Sequence, residues 1–414
     1  MPSWEPTVAA WVIFLVVYIV LAIGHLPVLN LDRTGVVFVG ATAAVAFDVL
    51  SLQEAHHALD FHTLLLLFSM MICVSFLVQL GVLDYGLLFL DRFRSPRGLL
   101  WAIVWASGIG SALFINDVIC LVLTPIVLQL ASKRKVPPEP FLLAVAMASN
   151  IGSLATPIGN PQNMLIASLG EIRYPEFVVR LAPLSLFNLL VLGLVLQGMY
   201  RRVLKQAAAE PIERHALVSP APLPRYVWVR TLAIMGGMVV GFWMGYSLAG
   251  VAALGAAAMM LTRRVQRARA FELIDWDLLV LFAGLFIVTA AAAKGGVLAH
   301  LYEGLAVLRP DTAVGFSCIV AVLSNSVGNV PAVFFLSGFV QQQANPTAWW
   351  FLLACVSTLA GNLTLVGSVA NLIVAEKAKE SAPLTFGAYL RVGVPVGVIT
   401  LTLALGYWYL VWGR

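Results

Sequence analysis

Most residues in this chain that could do chemistry are neutral amides and hydroxyls in apolar surroundings, with one acid among them. Asp117 follows Asn116 at the head of "NDVICLVLTPIV" (116–127). A carboxylate at the start of a helix can cap it, or it can hold a proton or a cation beside the free N–H groups of the first turn. A second stretch, "ATPIGNPQN" (155–163), gathers Thr156, Gly159, Asn160 and Asn163 around Pro157 and Pro161. Each proline removes a donor and disfavours helix at the residue before it. Gly159 lets the backbone turn between them, and the amides offer neutral donors and acceptors.

The same theme returns later in the chain. "SNSVGNVP" (324–331) carries Ser324, Asn325 and Asn329, and "STLAGNLTLVGSVAN" (357–371) carries Thr364, Gly367, Ser368 and Asn371. Ser, Thr and Asn commonly join membrane helices to one another, so each stretch alone says little. Four in matched order say more. Their tips are expected to converge on one ion or substrate site lined by Asn116, Asn163, Asn329 and Asn371. The counterpart of Asp117 is Val330, so proton coupling is assigned to Asp117 alone.

These residues need a scaffold, and the composition says which kind. Of 414 residues, 61% are hydrophobic and 11% charged, against about 25% charged in soluble domains. Apolar runs reach the ~20 residues that cross a bilayer core. The expectation is an all-α polytopic membrane protein with no sizeable soluble domain. A cleaved signal peptide is not expected, because no basic segment precedes the first apolar run. The net charge of +5 is scattered at helix ends, which fits membrane topology rather than nucleic acid. The four cysteines lie in apolar segments without metal-site spacing and read as small buried hydrophobes. Neither a metal nor a cofactor is expected, only a transported or coupling ion, H⁺ before Na⁺.

Apolar helices are predicted at 7–24, 35–50, 61–81, 181–200, 231–247, 249–262, 276–293 and 388–410. Interrupted stretches fall at 98–132, 140–170, 312–343 and 347–375. The halves match: Gly35 with Gly250, Gly40 with Gly255, Asp60 with Asp275, and "TPIGNPQN" (156–163) with "TLVGSVAN" (364–371). Internal repeats of this kind imply repeated architecture. If 98–132 and 312–343 are re-entrant hairpins, each half (1–204 and 231–414, joined by a cytoplasmic linker at 205–230) has about five spanning helices and the repeats are inverted. Most Lys and Arg, Arg33 included, then share one face. Arg173, Arg180, Lys294, Arg309 and Arg414 are the exceptions. The positive-inside rule makes the basic face cytoplasmic and puts both termini outside, in a plasma (inner) membrane. Lys294 is expected to snorkel to the interface, and Glu54, His56, His57 and Asp60 to form an exposed outer loop.

"NDVICLVLTPIV" with "IGNPQN", and "GNVPAVFF" with "LVGSVAN", resemble the ion transporter superfamily of arsenite (ArsB) permeases, NhaD-type sodium–proton antiporters, the melanosomal P protein and dicarboxylate/sulfate–sodium symporters. The resemblance spans nearly the whole chain. It implies a scaffold and a moving transport subdomain, a homodimer, and elevator-like alternating access. "LFINDVICLVLTPIV" is similar to the arsenite permeases. Asn160-Pro161-Gln162 stands where the antiporters have Asp-Pro-Pro. Ile115-Asn116-Asp117 and Gly328-Asn329-Val330 stand where the sodium symporters have Ser-Asn-Thr. The expected function is therefore proton-coupled secondary transport of a small anion or of an oxyacid such as arsenite. Sodium–proton antiport, sodium-coupled symport and service as the membrane subunit of an ATPase-driven pump are the alternatives. No GxxxxGK[ST] signature is present, so this chain alone would not hydrolyse ATP, and no enzyme activity is expected.

Overall fold

The computed structural model describes residues 6–26, 31–82, 85–209, 224–261 and 267–413. The proline-rich core of the predicted linker and the Arg263–Arg264 pair lie outside them. The first half contains α1 (Pro6–Ile23), α2 (Arg33–Ala46), the short α3 (Leu52–Ala58), α4 (Phe61–Gln79) and the short α5 (Tyr85–Asp91). It continues with α6 (Pro96–Leu113), α7 (Asn116–Lys133), α8 (Glu139–Ser153), α9 (Pro161–Leu169), α10 (Tyr174–Met199) and α11 (Arg201–Ala209). The second half repeats the order with α12 (Arg225–Trp243), α13 (Leu248–Met260), α14 (Arg267–Glu272), α15 (Trp276–Lys294) and α16 (Val297–Leu305). Then come α17 (Ala313–Val327), α18 (Asn329–Gln341), α19 (Pro346–Ala360), α20 (Val369–Ala378) and α21 (Phe386–Trp412). A two-residue antiparallel pairing, His25–Leu26 with Leu31–Asp32, closes the α1–α2 connection.

Among the described residues seven helices are long and apolar enough to cross a membrane. One of them is α7, which serves as the second arm of the first hairpin. Caps confirm the repeat register. Asp32 accepts from Gly35 N at the head of α2, and Ser247 from Gly250 N at the head of α13. Asp60 and Asp275 cap α4 and α15 likewise. Such caps satisfy N–H groups that have no partner inside the helix.

The repeats interlock. Helix α4 packs on α13 and α15 on α2; α7 packs on α20 and α18 on α9. Glycines permit the closest approaches. A Cβ at Gly152 of α8 would strike the backbone of Gly108 in α6, and one at Gly284 would meet Val37. With little hydrophobic drive between helices in lipid, such backbone proximity supplies much of the packing.

Polar contacts show which helix ends share a face. On one face Trp101 Nε1 donates to Gln197 (2.8 Å), and Tyr200 donates to Glu139. There Arg134 ties the two feet of the first hairpin together, donating to the carbonyls of Asp91 and Phe93 and to the Asp91 carboxylate. On the other face Lys294 meets Glu54 at 2.6 Å, and Ser168 donates to Asp60 at 2.6 Å. The starts of α2 and α15 lie together, joined by Thr34 Oγ1 donating to Asp277 O. Because α15 ends at Lys294, those starts lie on the first face.

Several features differ from the sequence reading. Helix α10 begins at Tyr174 rather than 181, since Pro175 and Glu176 suit a first turn that an apolar window passes over. Helices α11 and α12 extend into both ends of the predicted linker. Cys318 is exposed, while the other three cysteines are buried as expected.

Candidate functional site

Both breaks are held open by an asparagine that satisfies stranded carbonyls. In the first break, between α8 and α9, Asn160 caps α9 by accepting from Asn163 N (2.8 Å). Asn163 Nδ2 donates to Ser153 O (3.1 Å) and Thr156 O (3.2 Å). In the second, Asn371 Nδ2 donates to Gly361 O (2.7 Å) and Thr364 O (3.1 Å). Repeat mates do the same work: broken backbone at membrane depth needs internal partners.

Each hairpin tip is fastened to its break. Asn116 N donates to Gly159 O at 2.9 Å, and Thr156 Oγ1 to Ala112 O at 2.6 Å. At the second tip Asn329, with its amide nitrogen turned to the carbonyls, donates to Ser357 O (3.1 Å) and Gly367 O (3.2 Å). Asn325 donates to Ala360 O (2.9 Å) and accepts from Thr364 Oγ1 (2.8 Å). Gly159 and Gly367 are needed for proximity rather than for a special φ. A Cβ at Gly159 would overlap the Ser153 backbone, and one at Gly367 would crowd Asn325 Oδ1 and Gly361 O.

A buried amide hub joins the repeats. Asn150 Oδ1 accepts from Asn116 Nδ2 (3.1 Å) and Ser368 Oγ (2.9 Å). Asn150 Nδ2 donates to Asn362 Oδ1 (2.9 Å) and Asn371 Oδ1 (3.1 Å). Nearby, Asn160 Nδ2 donates to Ser153 Oγ (2.7 Å), and Gln162 donates to Thr358 Oγ1 (3.4 Å). Asn150 was not among the predicted site residues. The available signal was an amide beside Ser149 in an otherwise apolar helix.

Beside the hub lies a cavity of about 100 Å³. The first residues of four helices line it: Asn116 and Asp117 of α7, Pro161 and Gln162 of α9, Asn329 and Val330 of α18, and Val369 of α20 next to Ser368. Gly367 also lines it. Helix N-termini present unpaired N–H groups and positive dipole ends. Of the predicted site residues, Thr156, Gly159, Asn160, Asn163, Ser324, Asn325, Thr364 and Asn371 are absent from the wall. Asn163 and Asn371 are wholly buried and brace the breaks, so the four expected asparagines do not converge: Asn116 and Asn329 reach the cavity, and their partners support it from behind. Ser324 is buried and its hydroxyl has no hydrogen-bond partner among the described residues.

Asp117 does not cap its helix. The N-cap of α7 is Ile115, with no side-chain bond, and the Asp117 carboxylate has no hydrogen bond or ion pair among the described residues. Asn116 Oδ1 is buried and has no hydrogen-bond partner among the described residues. The remaining wall comes from Leu21, Arg33, Leu278 and Leu281, at the end of α1 and the starts of α2 and α15. The cavity therefore lies toward the face that holds the feet of the first hairpin. Arg33, read from sequence as one more basic helix end, instead lines the cavity. The pairing is asymmetric: α4 packs on α9, while the cavity separates their mates, with Leu278 and Leu281 of α15 on one wall and Leu372 of α20 on another.

Comparison with known proteins places this geometry in context. Residues 14–354 match the model of the CitMHS family, described as citrate transporter. The silicon efflux transporter LSI3 of Oryza sativa subsp. japonica is 30% identical over 97% of this chain and 98% of its own. The putative transporter arsB of Dictyostelium discoideum is 25% identical, covering 92% of this chain and 87% of that one. Among solved structures, the YdaH transporter of Alcanivorax borkumensis superposes with a TM-score of 0.58 over 99% of both chains at 14% identity, a likeness of fold.

Proposed function

Because the chain belongs to the CitMHS citrate transporter family, a multi-pass family of secondary transporters, we propose that it moves a small oxyacid or its anion with protons. In this reading the cavity between hairpin tips and broken helices is the substrate site, and the hairpins and breaks travel as an elevator against α1, α2, α4, α12, α13 and α15. This reading takes the face bearing the feet of the first hairpin as cytoplasmic, in a plasma (inner) membrane, which makes the state inward-facing.

One observation carries the reading: four helix N-termini and the Asn116 amide meet in one cavity together with a single unpaired acid. Half-helix N-termini at a repeat interface suit anionic or hydroxyl-rich substrates. Size supports a small one. At about 100 Å³ the cavity is smaller than the ~150 Å³ void that takes a benzene ring. A tetrahedral oxyacid suits that space better than a tricarboxylate. Asp117 takes the coupling role, since it is the acid on the cavity wall.

The test is uptake into proteoliposomes of silicic acid, arsenite, phosphate and citrate, under imposed pH or sodium gradients. The reading expects a pH gradient to drive a small oxyacid and Asp117→Asn to abolish that drive. Flux that follows sodium and ignores pH, or a site that carries citrate alone, would overturn it.

A further inference from the structure

We propose that Arg33 makes the cavity selective for the anionic form of its substrate, and that each anion is loaded together with one proton on the Asp117 carboxylate. This rests on the transport reading above and narrows it to a charge state. Arg33 is the first residue of α2, and its guanidinium has no hydrogen bond or ion pair among the described residues. Its Nε is buried. An arginine at a membrane interface ordinarily snorkels toward water; this one lines the cavity that also holds Asp117. Its neighbour Asp32 is engaged, accepting from Gly35 N at 2.7 Å. The other acids at this mouth sit at the start of α15, where Asp275 accepts from Leu278 N at 2.9 Å and Asp277 is exposed.

Charge accounting argues for one proton per anion. On the cavity wall Arg33 and Asp117 sum to zero, and the Asp275 carboxylate, which caps α15, acts on Asp117 from nearby. A bound monoanion adds one uncompensated negative charge in a poorly solvated place, which is costly. A proton taken onto a carboxylate oxygen of Asp117 returns the site to its unloaded charge, and the carboxyl group then presents a donor toward the anion. Anion and proton therefore load together, and neither alone is favoured.

The repeat supplies an internal control. On the opposite face a cavity of about 240 Å³ lies where the start of α13 meets the start of α4 and the end of α9, lined by His62, Ser168 and Leu248, and it reaches neither hairpin tip nor either break. In the register set by the Asp32 and Ser247 caps, Leu248 stands where Arg33 stands in the first repeat. That mouth has no scaffold arginine at this position. Its Arg173 belongs to the turn after α9, with Glu171 beside it on the same wall. Anion capture is therefore stronger from the Arg33 face.

The experiment measures KM separately from each face, in right-side-out and inside-out proteoliposomes, with orthophosphate as the anion and silicic acid as the neutral oxyacid. Arg33→Gln is expected to raise KM for the anion at least about tenfold from the Arg33 face, with kcat little changed. Arg33→Lys recovers most of the loss. Leu248→Arg, placed in the other mouth, lowers KM from that side. An unchanged KM in Arg33→Gln, or carriage of silicic acid alone with a KM indifferent to residue 33, overturns the inference while leaving oxyacid transport intact. No proton-driven flux in the unaltered protein refutes the transport reading itself.

Discussion

Replacing Asn150 by alanine removes the side chain whose hydrogen bonds, among the described residues, link the first hairpin tip to the second broken helix. Four hydrogen bonds disappear: two that Asn150 accepts, from Asn116 and Ser368, and two that it donates, to Asn362 and Asn371. Interhelical bonds in membrane proteins average about 0.6 kcal/mol each, and net bonds in soluble proteins about 1 kcal/mol, so the sum is about 2–4 kcal/mol. The loss should not spread evenly. Asn371 keeps both of its donor bonds and Asn362 keeps its bond to Met147 O (3.2 Å), whereas the buried Asn116 side chain has no other bond among the described residues. The tip should therefore loosen before the breaks do. Equilibrium unfolding in mixed micelles measures the total, and a double-mutant cycle of Asn150→Ala with Asn362→Ala measures coupling between the repeats. A change below about 0.5 kcal/mol, which is the usual range for surface sites, with no coupling to Asn362, would refute the idea that the amide hub joins the halves.

Other consequences are sharper in position than in magnitude. Gly159→Ala should abolish folded, monodisperse protein on size-exclusion chromatography, because its Cβ meets the Ser153 backbone, whereas Gly387→Ala, with open space around it, should be neutral. Arg134→Ala should destabilise by about 2–3 kcal/mol, through loss of charge-assisted bonds that anchor the hairpin feet, and should raise proteolytic nicking in the α5–α6 connection. On the opposite face Lys294, 2.6 Å from Glu54, with help from Ser51, holds the exposed Glu54 carboxyl down to about 2. A lowered folded value means that this contact stabilises above the ordinary carboxylate value and is lost as pH falls from there through about 2. Lys294→Met should move the Glu54 titration, followed by carboxyl NMR, up toward that ordinary value.

Much of the fold was legible in the sequence because the repeat carries its own check. Gly35 with Gly250 and Asp60 with Asp275 match as residues, and in the structure they match as caps. The two breaks were legible because Pro157, Pro161 and Gly159 leave the backbone few helical options. What each asparagine faces was not legible. Asn116 and Asn163 are chemically alike, and only the rotation of a helix about its axis decides which amide lines a cavity and which satisfies a stranded carbonyl. Arg33 was hidden for a related reason: a basic residue at a helix end is the ordinary pattern of a membrane interface, and its turn toward the cavity depends on how α2 packs on α15. Short amphipathic pieces such as α3, α5 and α14 were missed because an apolar window does not register helices of six or seven residues.

The central claim is that substrate occupies the cavity between the hairpin tips and breaks, reached from the face of the first hairpin's feet. It can be tested directly by labelling. Val369 is 53% exposed and lines that cavity. In a Val369→Cys variant with Cys318→Ser, a membrane-impermeant thiol reagent should react from that face, and saturating transported oxyacid should slow the reaction at least several-fold. Labelling that is indifferent to substrate, or that proceeds only from the opposite face, would contradict the account.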